Sequence, residues 1–156
     1  MAQLRLAATH TSDITPILEI DRSSFAWPWN RICFAGELVS TRGCSFTLKY
    51  VDRTNAQSVI GYIICRLVNQ ELHILRIAVK AGWRGYGLAS RLLARAFDQA
   101  ARKGANAAFL EVRPSNRPAR AFYNRHGFRL IGKIPGYYTD TCEDALVLMK
   151  NLKEDL

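Results

Sequence analysis

The chain lacks any grouping of cysteine and histidine that would bind a metal or build a disulfide framework. These residues are Cys33, Cys44, Cys65, Cys142, His10, His73 and His126. They contain no Cys-x-x-Cys pair, and no histidine lies at metal-ligand spacing from a cysteine. We therefore expect no metal and no disulfide scaffold.

Long apolar runs and repeats are also missing. No run approaches the roughly 20 apolar residues that span a bilayer, and the N-terminus has no continuous apolar signal-peptide core. There is no internal repeat or Gly/Pro/Ser-rich linker, and 156 residues suit one domain. We expect residues 1–156 to form a single domain of a cytoplasmic protein that has no membrane partner.

Positive charge is abundant and unevenly placed. The chain carries 22 Lys plus Arg against 13 Asp plus Glu, a net charge of +9. Residues 76–133 hold 13 basic and 2 acidic side chains, whereas residues 134–156 are acidic. Such an excess predicts an anionic ligand. A nucleic-acid-binding module is one interpretation, but it requires basic residues interleaved with exposed aromatics, and most arginines here alternate with an apolar stripe or lie beside a glycine-rich loop.

Hydrophobic periodicity predicts the element order β-α-α-β-β-β-α-β-α-β-β. The predicted strands are 4–7, 44–50, 59–68, 72–79, 107–112, 128–134 and 145–149. The predicted helices are one capped within residues 11–13, a short one through Phe34 and Leu38, one from 88 to about 103, and one capped by Asn116. Hairpins mixed with helical crossovers indicate an α/β fold, a mixed sheet covered by helices.

A glycine-rich loop joins the fourth predicted strand to the long helix. It reads Arg84-Gly85-Tyr86-Gly87-Leu88-Ala89. Glycines leave amide N–H groups open, and the helix N-terminus adds positive potential, which suits a phosphate or pyrophosphate; turn geometry alone is the alternative explanation. The Walker and dinucleotide patterns do not fit, because Leu88-Ala89-Ser90 stands where their defining residues are required.

Two motifs carry a family resemblance. The pattern Arg84-x-x-Gly87-x-Ala89 resembles the pyrophosphate signature of the GCN5-related N-acetyltransferase (GNAT) family. Residues 110–116 (LEVRPSN) and 121–128 (AFYNRHGF) resemble that family's second cofactor segment. The resemblance implies a single-domain GNAT fold, with a mixed and mostly antiparallel central sheet and helices on both faces, and acetyl-CoA as co-substrate.

Two further segments narrow the resemblance. Residues 19–29 resemble an F-x-x-P-W segment, and residues 136–145 a Y-Y-x-x-x-x-E-D-A ending, of ribosomal-protein-alanine N-acetyltransferases. The departures are Ala26, where a proline is common, and Ala89, where many relatives have glycine. The resemblance implies acetylation of a protein N-terminus, the N-terminal alanine of a small-subunit ribosomal protein. Acetylation of a lysine side chain or a small amine is the alternative.

The resemblance also assigns the binding residues. Those expected at acetyl-CoA are Ile77, Ala78, Val79, Arg84, Gly85, Tyr86, Gly87, Leu88, Ala89, Ser90, Asn116 and Tyr123. In the family, the backbone of the first three pairs with the pantetheine amides. Those expected at the peptide are Phe25, Trp29, Tyr137 and Tyr138. These four aromatic residues lie outside the predicted elements, and the alternative is that they fill the core.

Glu111 and Tyr123 are the candidate catalytic residues. Glu111 is the only ionisable residue of its strand, and apolar flanking residues would raise its pKa toward that of a useful base; the alternative is a carboxylate at a sheet edge, paired with an arginine. Tyr123 lies two turns after Asn116 and can protonate a leaving thiolate, or can be a core aromatic. His73 can assist as a base or be structural. We expect direct attack with no acyl-enzyme.

Overall fold

The computed structural model describes residues 2–40 and 43–153, and its centre is one sheet. Its seven strands lie in the order β1-β2-β3-β4-β5-β7-β6. They are β1 (Gln3–Ala8), β2 (Phe46–Val51), β3 (Gln57–Val68), β4 (Glu71–Val79), β5 (Ala107–Val112), β6 (Arg129–Tyr138) and β7 (Glu143–Asn151). All neighbours pair antiparallel except β4 with β5. The predicted α/β class with a mixed, mostly antiparallel sheet is confirmed.

Helices cover both faces of this sheet. They are α1 (Ile14–Ser24), α2 (Arg31–Ser40), α3 (Leu88–Arg102) and α4 (Arg117–Arg125), with a 3-10 turn at Thr11–Asp13. The predicted stripe of α3 is buried at Leu88, Leu92, Leu93, Ala96 and Ala100. Within residues 2–40 and 43–153, no helix is long and apolar enough to cross a membrane.

Two cores result, one on each face. The larger lies between the sheet and α3, and it takes in Tyr123 of α4. The smaller joins α1 and α2 to the opposite face through Tyr62, Ile64 and Ala78. Because strand side chains alternate between faces, β3 contributes Cys65 to the larger core and Ile64 to the smaller one.

Several predicted boundaries need correction. The second strand starts at Phe46 rather than Cys44, and the last begins at Glu143. The largest difference is β6, which runs to Tyr138 instead of ending at residue 134. Tyr137 and Tyr138 therefore lie at the end of a strand, and the prediction that they fall outside regular elements is wrong. A register shift between Ile134 and Tyr138 lets the strand pass Pro135 and Gly136 and continue.

The sheet opens between β4 and β5. Among the described residues these strands pair only over Glu71–His73 and Ala107–Phe109. Beyond that point β4 continues to Val79 beside β3 alone, while β5 continues beside β7 alone. A bulge at Leu75 bends β4 at the start of this opening. The two diverging strands leave a split in the middle of the sheet.

Candidate active site

A cleft of about 640 Å³ occupies this split. Its walls come from the loop between α1 and α2, the outer half of β4, the end of β5, α4 and the end of β6. The predicted residues that line it are Phe25, Trp29, Ile77, Glu111, Asn116, Tyr123, Tyr137 and Tyr138, together with His73. Segments far apart in sequence thus converge on one place, as a binding site requires.

The backbone of β4 presents hydrogen-bonding groups to the split. The N–H of Lys80 donates to the carbonyl of Ile60 at 2.7 Å, so the neighbouring pair Gly61 and Val79 is a non-hydrogen-bonded pair. The N–H and carbonyl of Val79 therefore point away from β3 and into the split. Ile77, two residues earlier, has the same orientation. This edge can accept an extended ligand as an added strand.

The glycine loop lies at the N-terminus of α3. Gly85 and Gly87 have φ of 85° and 75°, a conformation that side chains with a Cβ rarely adopt. The first helical bond of α3 runs from the N–H of Arg91 to Gly87, so the N–H groups of residues 88–90 have no partner within the helix. The first turn reads Leu88-Ala89-Ser90 and contains no carboxylate. The arrangement suits an anion.

The side chains of this loop differ in their surroundings. Arg84 donates from Nε to the carbonyl of Val79 at 2.8 Å and from Nη2 to Ser24 Oγ at 3.0 Å, which ties the loop to β4 and to the end of α1. Ser90 Oγ lies 2.9 Å from His126 Nε2. Burial, followed by Arg125 and Lys150, lowers the pKa of His126. Tyr86 is exposed and Leu88 is buried in the larger core.

Glu111 lies on the face of the sheet that carries α1 and α2. Its carboxylate Oε2 is 2.5 Å from His73 Nε2. Strand alternation sends Leu110 and Val112 to the opposite face, into the larger core, so they do not surround the carboxylate as predicted. The alternative of a glutamate paired with an arginine is wrong in its partner, because the residue that contacts the carboxylate is His73. Glu111 does lie at an open edge, since β5 pairs there with β7 alone.

Tyr123 reaches the cleft from the other face. Asn116 caps α4 as predicted, since its Oδ1 accepts from the N–H of Ala119 at 3.2 Å. Tyr123 is 6% exposed and packs in the larger core. Burial raises the pKa of its phenol well above the ordinary value, so the hydroxyl is protonated at neutral pH. A carboxylate and a phenol thus flank the split from opposite sides.

The four predicted peptide-binding aromatics form the walls on the Glu111 side. Tyr137 and Tyr138 stack edge to face, with ring centroids 4.9 Å apart. Burial raises the pKa of Tyr138 to about 12. Trp29 and Phe25 pack against the smaller core, so for these two the core-filling alternative describes part of their role.

Sequence reasoning missed the buried ion pair that holds the loop between α1 and α2, one wall of the cleft. Asp21 is fully buried and accepts from Arg76 Nε and Nη2 at 2.9 and 3.0 Å. It also accepts from the Tyr62 hydroxyl and, at 2.7 Å, from the N–H of Trp29. The Arg76 guanidinium lies 3.7 Å from the centre of the Phe25 ring. Arg76 is the one charged residue of the apolar run 74–79 (ILRIAV) in β4, and a charge in such a run signals a buried partner, which could have drawn attention to it.

Arg113 was also missed. It follows β5 directly, and it contacts Trp27 and Tyr138 on opposite walls of the cleft. No local pattern predicts such a contact, because it joins segments from three parts of the chain. Among the described residues, no group of three or more His, Cys, Asp or Glu could hold a metal ion.

Comparison with known proteins agrees with this geometry. The profile of the acetyltransferase (GNAT) family matches residues 14–128. A putative ribosomal protein bS18-alanine N-acetyltransferase of Bacillus subtilis is 34% identical over 142 residues, which cover 91% of each chain.

Solved structures share the fold. The ribosomal-protein-S18-alanine N-acetyltransferase of Escherichia coli matches with a TM-score of 0.79 and 25% identity, over 96% of this chain and 94% of that one. Arabidopsis thaliana NAA60, solved with acetyl-CoA, matches in fold with a TM-score of 0.81 at 18% identity, over 96% and 99% of the two chains. The chain belongs to the acetyltransferase (GNAT) family and is an acetyl-CoA-dependent N-acetyltransferase.

Proposed function

We propose that this enzyme, as one domain over residues 1–156, acetylates the α-amino group of a protein N-terminus. The proposed substrate is the N-terminal alanine of a small-subunit ribosomal protein. One observation carries the proposal: Glu111 and Tyr123 line the same cleft from opposite faces of the split sheet, beside the paired Tyr137 and Tyr138. The Bacillus subtilis and Escherichia coli relatives, which are named for the same reaction, support the choice of substrate.

Glu111 acts as the base. An α-amino group has a pKa of about 7.7–8.0, so only a loosely held proton must leave before the nitrogen can attack. Glu111 Oε2 faces His73 at 2.5 Å, which leaves Oε1 for the amine or for one bridging water. A lysine ε-amine has a pKa near 10.4 and is a harder substrate for the same carboxylate.

Tyr123 acts as the acid. The amine nitrogen attacks the thioester carbonyl, the new C–N bond forms, and the C–S bond breaks. The amine proton goes to Glu111 and the Tyr123 proton goes to the departing thiolate of CoA. Because burial raises the phenol's pKa, Tyr123 is protonated at neutral pH and has a proton to give as the thiolate leaves. The proton taken up by Glu111 then passes through solvent to the Tyr123 phenolate, which restores both groups.

The transfer is direct, with no covalent acyl-enzyme. Cys33 and Cys142 are exposed, and Cys44 and Cys65 are buried. The lining of the cleft, as far as the chain is described, includes none of them. Burial raises the pKa of Cys65 well above the ordinary value, which keeps this thiol protonated and unreactive.

Acetyl-CoA binding uses mostly backbone groups. The inward-facing N–H and carbonyl of Ile77 and the N–H of Val79 suit the pantetheine amides, with Ala78 between the two residues, whereas the carbonyl of Val79 accepts from Arg84. Asn116 lines the same cleft. The N–H groups of residues 85–90 suit the pyrophosphate. The side chain of Arg84 supports this loop through Val79 and Ser24.

The test uses a synthetic peptide that begins Ala-Arg. Wild type, Glu111→Gln and the control Glu19→Gln are each mixed with acetyl-CoA, and the acetylated peptide is quantified by mass spectrometry. Glu19 is exposed on α1 and lies outside the cleft. We expect Glu111→Gln to lower kcat by roughly 10²–10⁴-fold and Glu19→Gln to match wild type. Equal rates for all three would refute Glu111 as the base.

A further inference from the structure

Arg113, just beyond the strand that carries Glu111, contacts both the turn between β6 and β7 and two aromatic rings. It stands two residues after Glu111, directly after the end of β5. Its Nη1 and Nη2 donate to the two carboxylate oxygens of Asp140 at 3.0 and 2.8 Å, and Nη1 also donates to Thr141 Oγ1 at 2.9 Å. Asp140 and Thr141 lie in the turn between β6 and β7, so this arginine holds the turn beside β5.

The same guanidinium contacts an aromatic ring on each wall. Its central carbon lies 3.9 Å from the centre of the Tyr138 ring and 4.3 Å from that of Trp27. Tyr138 ends β6, whereas Trp27 belongs to the loop between α1 and α2. The Arg113 side chain is only 18% exposed, although Trp27 itself is 49% exposed. The two walls of the cleft are thus joined through one side chain.

The chemistry requires arginine at this position. A planar guanidinium can bond a carboxylate with two parallel N–H groups and present its faces to aromatic rings at the same time. The ammonium of lysine is a single point charge and cannot do both. Asp140 and Glu143 lie 2.8 and 3.7 Å from the Arg113 nitrogens. Asp140, followed by Tyr138 and Glu143, holds the pKa of the guanidinium above its ordinary value.

We propose that Arg113 is a positioning residue that sets substrate specificity by tying the two walls of the peptide cleft together. The inference rests on the proposed function. A chain N-terminus extends from the reacting nitrogen in one direction, whereas the backbone that carries a lysine side chain leaves in two. Walls joined at Trp27, Arg113 and Tyr138 leave a passage for the first and obstruct the second.

Kinetics with Arg113→Gln, Arg113→Lys, Asp140→Asn and the double variant Arg113→Gln/Asp140→Asn test the proposal. Loss of a carboxylate pair and two ring contacts predicts a rise of about tenfold in KM for the Ala-Arg peptide. KM for acetyl-CoA should stay within about twofold of wild type. Arg113→Lys should not restore peptide binding, and the double variant should be no worse than Arg113→Gln, since both changes break one contact.

A second readout separates specificity from a general loss of structure. Each variant receives an equimolar mixture of the Ala-Arg peptide and an N-terminally blocked lysine peptide, and the ratio of α- to ε-acetylation is measured. Arg113→Gln should lower this ratio, whereas the exposed control Arg129→Gln should not. An unchanged ratio and peptide KM in Arg113→Gln overturn the inference. Should Arg113→Gln unfold, the more exposed Asp140→Asn decides by the same two readouts.

The failure of this inference differs from failure of the proposed function. A wild-type enzyme that acetylates only the lysine peptide refutes N-terminal acetylation itself. A wild-type enzyme that prefers the α-amine, with an Arg113→Gln variant that keeps the same preference, refutes only the role of Arg113.

Discussion

At the scale of single residues, the environment of Tyr123 sets its chemistry. Tyr123 is buried among core residues and is one of the residues that line the cleft. Removal from water disfavours the phenolate, which raises the pKa. The same direction holds for Tyr137 and Tyr138, where burial is again the first cause. All three phenols in the cleft therefore remain neutral hydrogen-bond donors at physiological pH.

The protonated state of Tyr123 predicts the effect of Tyr123→Phe on kcat and the dependence of the rate on pH. Tyr123→Phe should lower kcat by roughly 10²-fold with little change in KM for acetyl-CoA. Tyr50→Phe, on β2 and outside the cleft, keeps its ring and should match wild type. Because burial raises the folded-state pKa of Tyr123 well above its ordinary value, the acid form persists on the alkaline side, and the rate should not decline up to pH 9.5. Initial rates from pH 6 to 9.5 measure this. An alkaline decline near pH 8.5 that disappears in Tyr123→Phe would contradict the assignment.

The proposed catalytic residues could be chosen from sequence, but their neighbours could not. Glu111 and Tyr123 stand within motifs whose spacing is local. The contact of Glu111 with His73 depends on the parallel register of β4 and β5, where His73 pairs with Phe109, and no local pattern encodes that register. Likewise, the Arg76–Asp21 pair joins residues 55 positions apart.

At the scale of elements, the turn before α3 sets the backbone conformation at the proposed pyrophosphate site. Gly87 precedes the helix with φ of 75°, and a Cβ built there would meet no atom within 4 Å. Gly104, at the other end of α3, has φ of 87° and is equally open. At both positions glycine is favoured by the positive φ and not by a lack of room for a side chain. The two residues can therefore be compared directly by substitution.

We expect Gly87→Ala and Gly104→Ala to lower the free energy of unfolding by similar amounts, about 1 kcal/mol each. Only Gly87→Ala should raise KM for acetyl-CoA, because only that residue lies beside the N–H groups assigned to the pyrophosphate. Urea unfolding and initial-rate kinetics provide the two measurements. Equal effects of both variants on KM would show that the loop contributes stability alone.

Local signals account for the elements that were predicted well. The apolar stripe of α3 and the cap of α4 by Asn116 are read from neighbouring residues. The strand β6 was predicted too short because Pro135 and Gly136 look like a stop, and the register shift that carries the strand past them depends on pairing with β7. The split between β4 and β5 is likewise a property of the assembled sheet.

At the scale of the molecule, basic and acidic side chains lie in different parts of the chain, which correspond to the two proposed substrates. The basic excess lies within residues 76–133, which include α3, α4 and every residue proposed to bind acetyl-CoA. The acidic residues Asp140, Glu143 and Asp144 lie in or directly after the turn between β6 and β7, beside the proposed peptide site. This distribution favours steering of a multiply charged CoA toward its own side of the split.

Salt should therefore lower kcat/KM for acetyl-CoA more than it affects the peptide substrate. Raising ionic strength from about 50 to about 300 mM shortens the screening length and should lower kcat/KM for acetyl-CoA severalfold. With acetyl-CoA saturating, KM for a peptide of zero net charge should change much less. Steady-state kinetics at both salt concentrations measure this, and equal effects on the two substrates would argue against steering.

The position of the acetyl group on a peptide that offers both amines separates N-terminal from lysine acetylation in one measurement. A peptide that begins Ala-Arg and carries one internal lysine is incubated with wild-type enzyme and acetyl-CoA, and tandem mass spectrometry locates the added group. We expect acetylation of the N-terminal α-amine by the wild-type enzyme and its loss in Glu111→Gln. Acetylation of the lysine alone would contradict this expectation.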